Sequence, residues 1–375
     1  MAEPLKNSFG PDIPERIGKA VFDAFPGFDG KRFLRLALAG FADLELTARA
    51  RQISDALAET LPEDREAAMA ILVSSLGPED DARELVGMES FFFLPHVFFV
   101  ADHGLERFEA SMVAQYELTK RFTAEFSIRA FIERYPDRTM ERLRSWTKDE
   151  NARVRRLVSE GTRSRLPWAP RLRAFQEDPR PVIELLELLK DDPEELVRRS
   201  VANNLNDISK DNQDLAVEVA GRWWDGATEN RKRLVRHGLR TLVKKGHPGA
   251  LSLLGFRADS PARVSEVVCD PLTARIGGQV RIAVEVRNPS DEETGALVDF
   301  RVHFVKARGT ASPKVFKGAE KILQPGGKAR VRKTITLVQQ STRTLYPGAH
   351  RIDVMLNGVP HAEASFELLE GESNP

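Results

Sequence analysis

The segments ENARVRRLVSEG (residues 150–161) and EELVRRSVANN (residues 194–204) align with Val154 on Val197, a step of 43 residues. A third segment, RKRLVRHGLRTLV (residues 231–243), continues the series with Leu242 under Leu205, a step of 37 residues. Pairs of helices that recur about every 40–47 residues are typical of HEAT repeats. Each pair buries its apolar face only against its neighbours, so the repeat predicts an α-solenoid with a long concave surface.

Arginines occupy matching positions in the three segments: Arg155 with Arg156, Arg198 with Arg199, and Arg233 with Arg236. The net charge of the chain is zero, but residues 1–100 hold 10 Lys and Arg against 17 Asp and Glu, whereas residues 129–176 hold 13 against 6. Opposed charge blocks in one chain predict that one surface faces a polyanion. The alternative is that these arginines only keep a solenoid soluble.

The spacing of apolar residues is helical from residue 12 to about residue 257, as in Ile53, Leu57 and Leu61. After Asp259-Ser260-Pro261 it alternates, as in Val280, Ile282, Val284 and Val286, with turns such as Asn357-Gly358 between such runs. The sequence therefore predicts a multidomain α then β chain: HEAT-like helical repeats over 1–258 and an immunoglobulin-like β-sandwich over 262–370. We expect the repeats to pack on one another and not on the sandwich.

Several classes of site and compartment are disfavoured by the composition. Cys269 is the single cysteine, so we expect neither an intrachain disulfide nor a cysteine-based zinc site, and the chain suits a reducing compartment. The seven histidines form no metal-binding motif, and no Walker loop, dinucleotide-binding fingerprint or nucleophile elbow is present. We expect no metal, no cofactor, no signal peptide and no membrane span; Phe91 to Val100 is predicted to be a buried helix.

Chemistry is therefore left to carboxylates, arginines and aromatic side chains, which are densest between residues 121 and 168. Glu125 is predicted to lie in a helix, and Glu160 follows Arg156 by one helical turn. Trp168 stands between Pro167 and Pro170, where a rigid turn presents its ring beside several arginines. One repeat later, Asp207 follows three asparagines.

Each of these residues also has an ordinary structural interpretation. Glu125 with Arg129, and Arg156 with Glu160, have the spacing of helix salt bridges. Trp168 suits a plug between repeats, and Asp207 suits a helix cap. From the residues alone, the sequence predicts a solenoid that binds nucleic acid and goes no further.

Four stretches, LELTARARQISDAL (44–57), LTKRFTAEFSIRAF (118–131), VRRLVSEGTRSRLPW (154–168) and NNLNDISKDN (203–212), resemble the AlkC branch of the AlkC/AlkD superfamily of bacterial alkylpurine DNA glycosylases. They span most of the helical part in the expected order. The resemblance implies hydrolysis of the N-glycosidic bond of cationic N-methylated bases, chiefly 3-methyladenine, in duplex DNA for base excision repair, without base flipping. It also implies an immunoglobulin-like domain at the carboxyl end. The sequence departs from the motif at Ser164, where proline is common.

The resemblance implies a catalytic site made of Glu125, Glu160, Asp207 and Trp168. For DNA contacts we predict seven basic residues: Arg129, Arg156, Arg163, Arg165, Arg198, Arg199 and Lys317. We further expect a monomer in the bacterial cytoplasm whose partner is double-stranded DNA with alkylated bases. Two rival classes stay open: a catalytically silent HEAT-type scaffold that binds DNA, and an adaptor that binds proteins.

Overall fold

The computed structural model describes residues 5–79, 87–265, 267–339 and 344–371. In these ranges sixteen α-helices precede nine β-strands, and the chain divides into two compact units, Met1–Asn212 and Gln213–Pro375. The predicted order of a helical part followed by a strand part is therefore confirmed. No helix in the described part of the chain is both long enough and apolar enough to cross a membrane.

The first unit is helical, and twelve of its segments are α-helices. They are α1 (Asp12–Ala24), α2 (Gly30–Ala37), α3 (Leu46–Thr60), α4 (Arg65–Ser74), α5 (Leu94–His103), α6 (Phe108–Arg121), α7 (Ser127–Arg134), α8 (Pro136–Trp146), α9 (Ala152–Gly161), α10 (Arg173–Glu177), α11 (Arg180–Leu189) and α12 (Glu195–Asp211). Short 3-10 helices cover Leu5–Ser8, Phe41–Asp43 and Gly87–Phe93. The apolar run predicted as a buried helix forms the last of these 3-10 helices together with α5, which is buried from Leu94 to Ala101.

The repeat seen in the sequence corresponds to α9 and α12. Val154 and Val197, which the alignment superimposes, are both fully buried at equivalent points of these helices. Helices α4, α6, α9 and α12 contact one another in turn, as successive repeats of one layer do. The step of 43 residues therefore marks a real structural repeat.

Arg155 and Arg198 make the same contact one repeat apart. Nη1 of Arg155 donates to the carbonyls of residues 149 and 150 at 2.8 and 3.0 Å, and Nη1 of Arg198 donates to those of residues 192 and 193 at 2.5 and 2.7 Å. Each arginine thus ties its helix to the loop that precedes it. In these two repeats, the first member of the arginine pair holds the repeat together.

The second unit begins with four helices: α13 (Gln213–Trp224), α14 (Glu229–Gly238), α15 (Arg240–Lys245) and α16 (Pro248–Leu253). The third copy of the repeat departs from the other two. Its helix ends at Gly238, so Leu242 lies in the separate helix α15, whereas Leu205 lies within the continuous helix α12.

Nine strands complete the second unit: β1 (Arg263–Val264), β2 (Val268–Asp270), β3 (Thr273–Arg275), β4 (Gln279–Arg287), β5 (Thr294–Val305), β6 (Ala311–Leu323), β7 (Lys328–Thr336), β8 (Gly348–Leu356) and β9 (Val359–Leu369). Strand β4 pairs with β1 and β2 and also with β7, and a five-stranded sheet has the order β3-β9-β8-β5-β6. The alternating apolar residues of β4, β5, β7 and β8 meet in one core between the two sheets. The predicted β-sandwich is confirmed.

Strand β6 was not predicted. It is an edge strand of the five-stranded sheet, and it carries Lys314, Lys317 and Lys321. Most of its side chains are at least partly exposed on both faces, so the alternation that reveals a half-buried strand is missing. Lysines on an edge strand also discourage pairing with other chains.

The helices of the second unit pack on the sandwich, contrary to the expectation that helices pack only on helices. Leu251 and Phe256 form a small apolar cluster with Leu297 on β5. Nδ2 of the buried Asn357 donates to the carbonyl of residue 257 at 2.8 Å, and its Oδ1 accepts from the backbone N–H of Leu297 at 2.8 Å. The change of pattern at residue 259 marks where strands begin, while the compact unit begins at residue 213.

Candidate active site

Glu125 lies in a tight turn that precedes α7, and not inside a helix as predicted. The Thr123 hydroxyl accepts from the backbone N–H of Glu125 at 3.2 Å. Such a local contact competes with helix formation, and α7 begins two residues later, at Ser127. Oε2 of Glu125 accepts from the same hydroxyl at 3.0 Å and from Nη1 of Arg156 at 3.2 Å. With 15% of its side chain exposed, Glu125 is the most accessible of the three candidate acids.

Glu160 lies in the last turn of α9 and is buried. Its Oε1 accepts from Nη1 of Arg163 at 2.5 Å, and its Oε2 accepts from the Ser200 hydroxyl at 2.6 Å. The guanidinium of Arg156 stands 3.7 Å from Oε2. The helix salt bridge foreseen between Arg156 and Glu160 exists, but it is the longest of these contacts.

Asp207 is fully buried in α12, well before the end of that helix, so the interpretation as a helix cap is wrong. Its Oδ2 accepts from Nε of Arg163 at 2.8 Å, and its Oδ1 accepts from Nζ of Lys210 at 2.7 Å. Both carboxylate oxygens are therefore held by cations in this structure.

These contacts join three carboxylates and three cations in one line, which we call the charge network: Glu125, Arg156, Glu160, Arg163, Asp207 and Lys210. Signs alternate along it, and its formal charge is zero. Its members come from the turn before α7, from the end of α9 with the loop that follows, and from α12. Stacking of consecutive repeats therefore brings together acids that lie 35 to 82 residues apart in the sequence.

Arg163 is the buried centre of the charge network. Burial alone would lower its pKa, but the carboxylates of Glu160 and Asp207 outweigh that effect, so the pKa of Arg163 lies above its ordinary value. Its positive charge is thus permanent and lies between the two carboxylates. Its Nε and Nη1 bind two buried carboxylates, and its predicted contact with a phosphate stays a prediction.

Trp168 lies on the loop between α9 and α10, and 69% of its surface is exposed. Its φ of +64° places it in the left-handed region, which is unusual for a residue with a bulky side chain. The ring centroid is 6.3 Å from that of Phe91, which lies 5.5 Å from Phe122. An exposed ring on a surface loop does not plug the space between repeats, so that interpretation is wrong.

Arg129 was predicted to bind DNA, and the structure corrects this. Only 4% of its surface is exposed, and its guanidinium donates to the carbonyls of Gly161 and Arg163 at 3.1 and 2.6 Å and to that of Pro170. A buried guanidinium that is engaged with backbone carbonyls cannot reach a phosphate. It holds the loop that carries Arg163 and Trp168.

Four other predicted DNA contacts lie at the surface with different degrees of engagement. Nε of Arg165 donates to Asp211 at 2.7 Å, a bond that raises the pKa of Arg165 and lowers that of Asp211. Arg198 ties its helix to the preceding loop, Arg199 is exposed, and Nζ of Lys317 lies 2.6 Å from Glu320 on β6. Their contacts with DNA stay predictions.

Sequence reasoning did not identify Ser200 and Lys210, which complete the coordination of Glu160 and Asp207. Ser200 offered a signal, because the repeat aligns it with the buried Leu157, and a hydroxyl at an apolar repeat position needs a buried partner. The Ser200 hydroxyl also accepts from that of Ser159 at 2.7 Å, so Glu160 ends a short hydrogen-bonded chain between two helices.

Comparisons with known proteins cover both parts of the chain. Residues 116–234 match the family of DNA alkylation repair enzymes, and residues 263–370 match the C-terminal Ig-like domain of the uncharacterised protein YhaZ. YhaZ of Bacillus subtilis strain 168, itself uncharacterised, is 32% identical over 365 residues, which are 97% of this chain and 99% of that protein. A solved structure of Pseudomonas fluorescens alkylpurine DNA glycosylase AlkC bound to DNA with an abasic site analog is similar with a TM-score of 0.89 and 32% identity, over 98% of this chain and 100% of that chain.

Proposed function

The chain belongs to the AlkC branch of the AlkC/AlkD family of DNA alkylation repair enzymes, and from this premise we propose that it is a DNA glycosylase. Its substrate is duplex DNA with cationic N-methylated bases, chiefly 3-methyladenine, and it hydrolyses their N-glycosidic bond. It works as a monomer in the bacterial cytoplasm. The main support for this proposal is the charge network, which brings three carboxylates together next to the loop that carries the exposed Trp168.

The chemistry needs little beyond these groups. A methylated adenine is already positively charged, so it leaves as a neutral base without receiving a proton. The remaining task is to stabilise the oxocarbenium character of the deoxyribose and to supply a water molecule. Carboxylates do both in glycoside hydrolysis, and preorganised charges act most strongly where water is excluded.

Within the charge network, Glu125 is the acid placed to meet the sugar. Its side chain is partly exposed, whereas Asp207 is enclosed by two cations. Asp207 therefore acts through Arg163, which it holds against Glu160. Trp168 contributes an aromatic face, whose attraction for a cation amounts to about 1–2 kcal/mol.

Arg156 occupies the space between Glu125 and Glu160 in the free protein. Of the two arginines in the charge network it is the more exposed, with 32% of its side chain accessible. Its ion pairs with Glu125 and Glu160, at 3.2 and 3.7 Å, are the longest in the network. When DNA arrives, its guanidinium turns to a phosphate, and the cationic sugar takes its place beside Glu125. The network then exchanges one cation for another and stays balanced.

Excision proceeds without base flipping. A partly exposed carboxylate and an exposed ring suit an approach to the sugar from the backbone side. The sandwich contributes basic residues such as Lys317 to the hold on the duplex.

The experiment is incubation of the purified chain with methylated genomic DNA, followed by identification of the released bases. We expect free 3-methyladenine as the main product, and a Glu125→Gln variant that still binds DNA but releases it at least about 10²-fold more slowly. Asp23→Asn, an exposed acid on α1, serves as the matched control with an unchanged rate. Binding of DNA without release of any base would contradict the proposal and support a catalytically silent scaffold.

A further inference from the structure

Arg129 joins the two ends of one loop. From α7 its Nη1 reaches the carbonyls of Gly161 and Arg163 at 3.1 and 2.6 Å, and its Nη2 reaches the carbonyl of Pro170. The segment between residues 161 and 170 is therefore fixed at both ends by one side chain from a helix 32 to 41 residues earlier. Only a planar fork with several donors can make these contacts together.

Burial of this guanidinium carries a free-energy cost that the fold accepts. Its contacts are carbonyls and not carboxylates, and Nε has no hydrogen-bond partner among the described residues. Burial lowers the pKa of Arg129 to about 10, which still leaves it charged at neutral pH. A buried charge without an ionic partner is destabilising, so its contacts must serve the loop that they hold.

The loop held in this way carries Trp168 in a conformation that it would not adopt freely. A left-handed φ disfavours residues other than glycine by about 1–2 kcal/mol, and such strain persists only where the surroundings over-determine it. The tryptophan ring is mostly exposed and has Phe91 as its ring neighbour. Other contacts hold the middle of the loop: Nε of Arg165 donates to Asp211 at 2.7 Å, and the backbone N–H of Leu172 donates to the carbonyl of Ser164 at 3.2 Å. Arg129 is the side chain that holds its two ends.

We propose that Arg129 is a positioning residue that holds the 161–170 loop so that Trp168 is presented in one fixed orientation. The effect on base excision rests on the proposed function; the effect on the tryptophan does not. Arg129 itself touches no DNA.

The test is to replace Arg129 with Met, which keeps much of the length and removes the donors, and with Lys, which keeps the charge and removes the fork. The signal of Trp168 is isolated as the difference between each variant and the same variant carrying Trp168→Phe. We expect the fluorescence anisotropy of Trp168 to fall and its quenching by acrylamide to rise in Arg129→Met, with Arg129→Lys in between. Single-turnover excision falls about tenfold or more, because displaced groups lose alignment, while DNA affinity stays within about twofold.

Arg49 provides a matched control. It is also a buried arginine whose donors reach only carbonyls, those of residues 6, 9, 42 and 44 at 2.7 to 3.1 Å. Arg49→Met should destabilise the fold as Arg129→Met does, yet leave the Trp168 signal and the rate per folded molecule unchanged.

A folded Arg129→Met protein with the wild-type Trp168 signal would overturn the proposal. Should this variant fail to fold, the Trp168 signal of Arg129→Lys decides in the same way. If the wild-type chain releases no base, the proposed function fails, but the fluorescence comparison between the Arg129 and Arg49 variants still decides the role of Arg129.

Discussion

Two buried aspartates, Asp207 in the helical unit and Asp353 in the sandwich, have almost the same exposure and very different surroundings. Oδ2 of Asp353 lies 2.6 Å from Nε of Arg301 and 2.8 Å from Nε2 of His303, and its Oδ1 lies 3.3 Å from Nε of Arg351. Among the residues that the structure describes, Asp207 has Arg163 and Lys210 as its side-chain partners. Contacts alone would make Asp353 the more heavily coordinated acid.

The two aspartates differ in what their partners contact in turn. Arg301 is the register partner of Asp353 across β5 and β8, and His303 faces Arg351 in the same ladder, so the sandwich cluster follows from strand pairing. Arg163 connects Asp207 to Glu160, and Arg156 continues to the accessible Glu125. We therefore expect Asp207, whose network reaches a partly exposed acid, to affect catalysis and Asp353 not to, although both are buried.

The largest expected effect is that of Asp207→Asn. The change keeps the size and removes the charge that holds Arg163 against Glu160, so single-turnover release of 3-methyladenine should fall about 10²-fold or more. Asp353→Asn, the same change in the sandwich, should leave the rate per folded molecule within about threefold and lower the free energy of unfolding by about 3–5 kcal/mol. Equal rates for the two variants would remove the distinction between the clusters.

Trp168→Ala comes next. The loss of cation–π attraction of about 1–2 kcal/mol predicts a rate roughly 5- to 30-fold lower. Phe22, another exposed aromatic residue of the helical unit, provides the control, and Phe22→Ala should excise bases at the wild-type rate. A wild-type rate for Trp168→Ala would mean that Trp168 does not contribute to excision and that the site consists of the charge network alone.

The buried His96 and Asp353 lose their stabilising effect at different pH values. Burial of His96 lowers its pKa from 6.5 to about 4, so the folded chain binds fewer protons than the unfolded chain between these values. Stability from His96 is complete above pH 6.5 and is lost as the pH falls toward 4, which amounts to about 1.4 kcal/mol at pH 5.5.

Asp353 behaves differently. Burial would raise its pKa, but the bonds from His303 and Arg301 outweigh this and place it below 3.8, so its contribution is complete above pH 3.8 and is lost only in stronger acid. Urea unfolding at pH 7.5 and 5.5 should therefore show a loss that His96→Gln reduces and Asp353→Asn does not; the remainder comes from groups such as His350 and His361, whose pKa values burial also lowers. A loss of the same size in His96→Gln as in the wild-type chain would contradict the assignment to His96.

The smallest effect is expected for Lys317→Ala in the sandwich. Removal of one phosphate contact lowers the slope of log affinity against log salt by about 1, with a modest loss of affinity. Lys19→Ala is the control, since Lys19 is an exposed lysine that is also paired with a nearby acid, Asp23. An unchanged slope for Lys317→Ala would mean that Lys317 does not contact phosphate and that its charge serves only to discourage pairing at the sheet edge.

The sequence predicted those features that periodicity determines. Val154 and Val197 located the repeat, and the alternation in β4 and β5 located the sandwich. Strand β6 was not predicted because apolar and polar residues do not alternate along it. Such alternation reveals a strand with one buried and one exposed face, whereas the two faces of β6 are similarly exposed.

For the site, the residue types near Glu160 and Asp207 were foreseen, but the roles of their arginines were not. Arg129 and Arg163 resemble surface arginines in the sequence, and only tertiary contacts 32 to 44 residues away show that they are buried. A guanidinium can donate either to a phosphate or to a buried carbonyl, so the sequence does not show which of the two an arginine contacts.

The packing of α16 on the sandwich also affects how the chain matures during synthesis. The carbonyl of residue 257 receives its hydrogen bond from Asn357, which the ribosome adds 100 residues later. At about 5–20 residues per second, that interval is roughly 5–20 s. During the first part of this time Leu251 and Phe256 lack Leu297, the β5 residue that packs on them. Nascent chains halted before β5 should therefore expose this cluster to chaperones, and those halted before β8 still lack the hydrogen bond from Asn357.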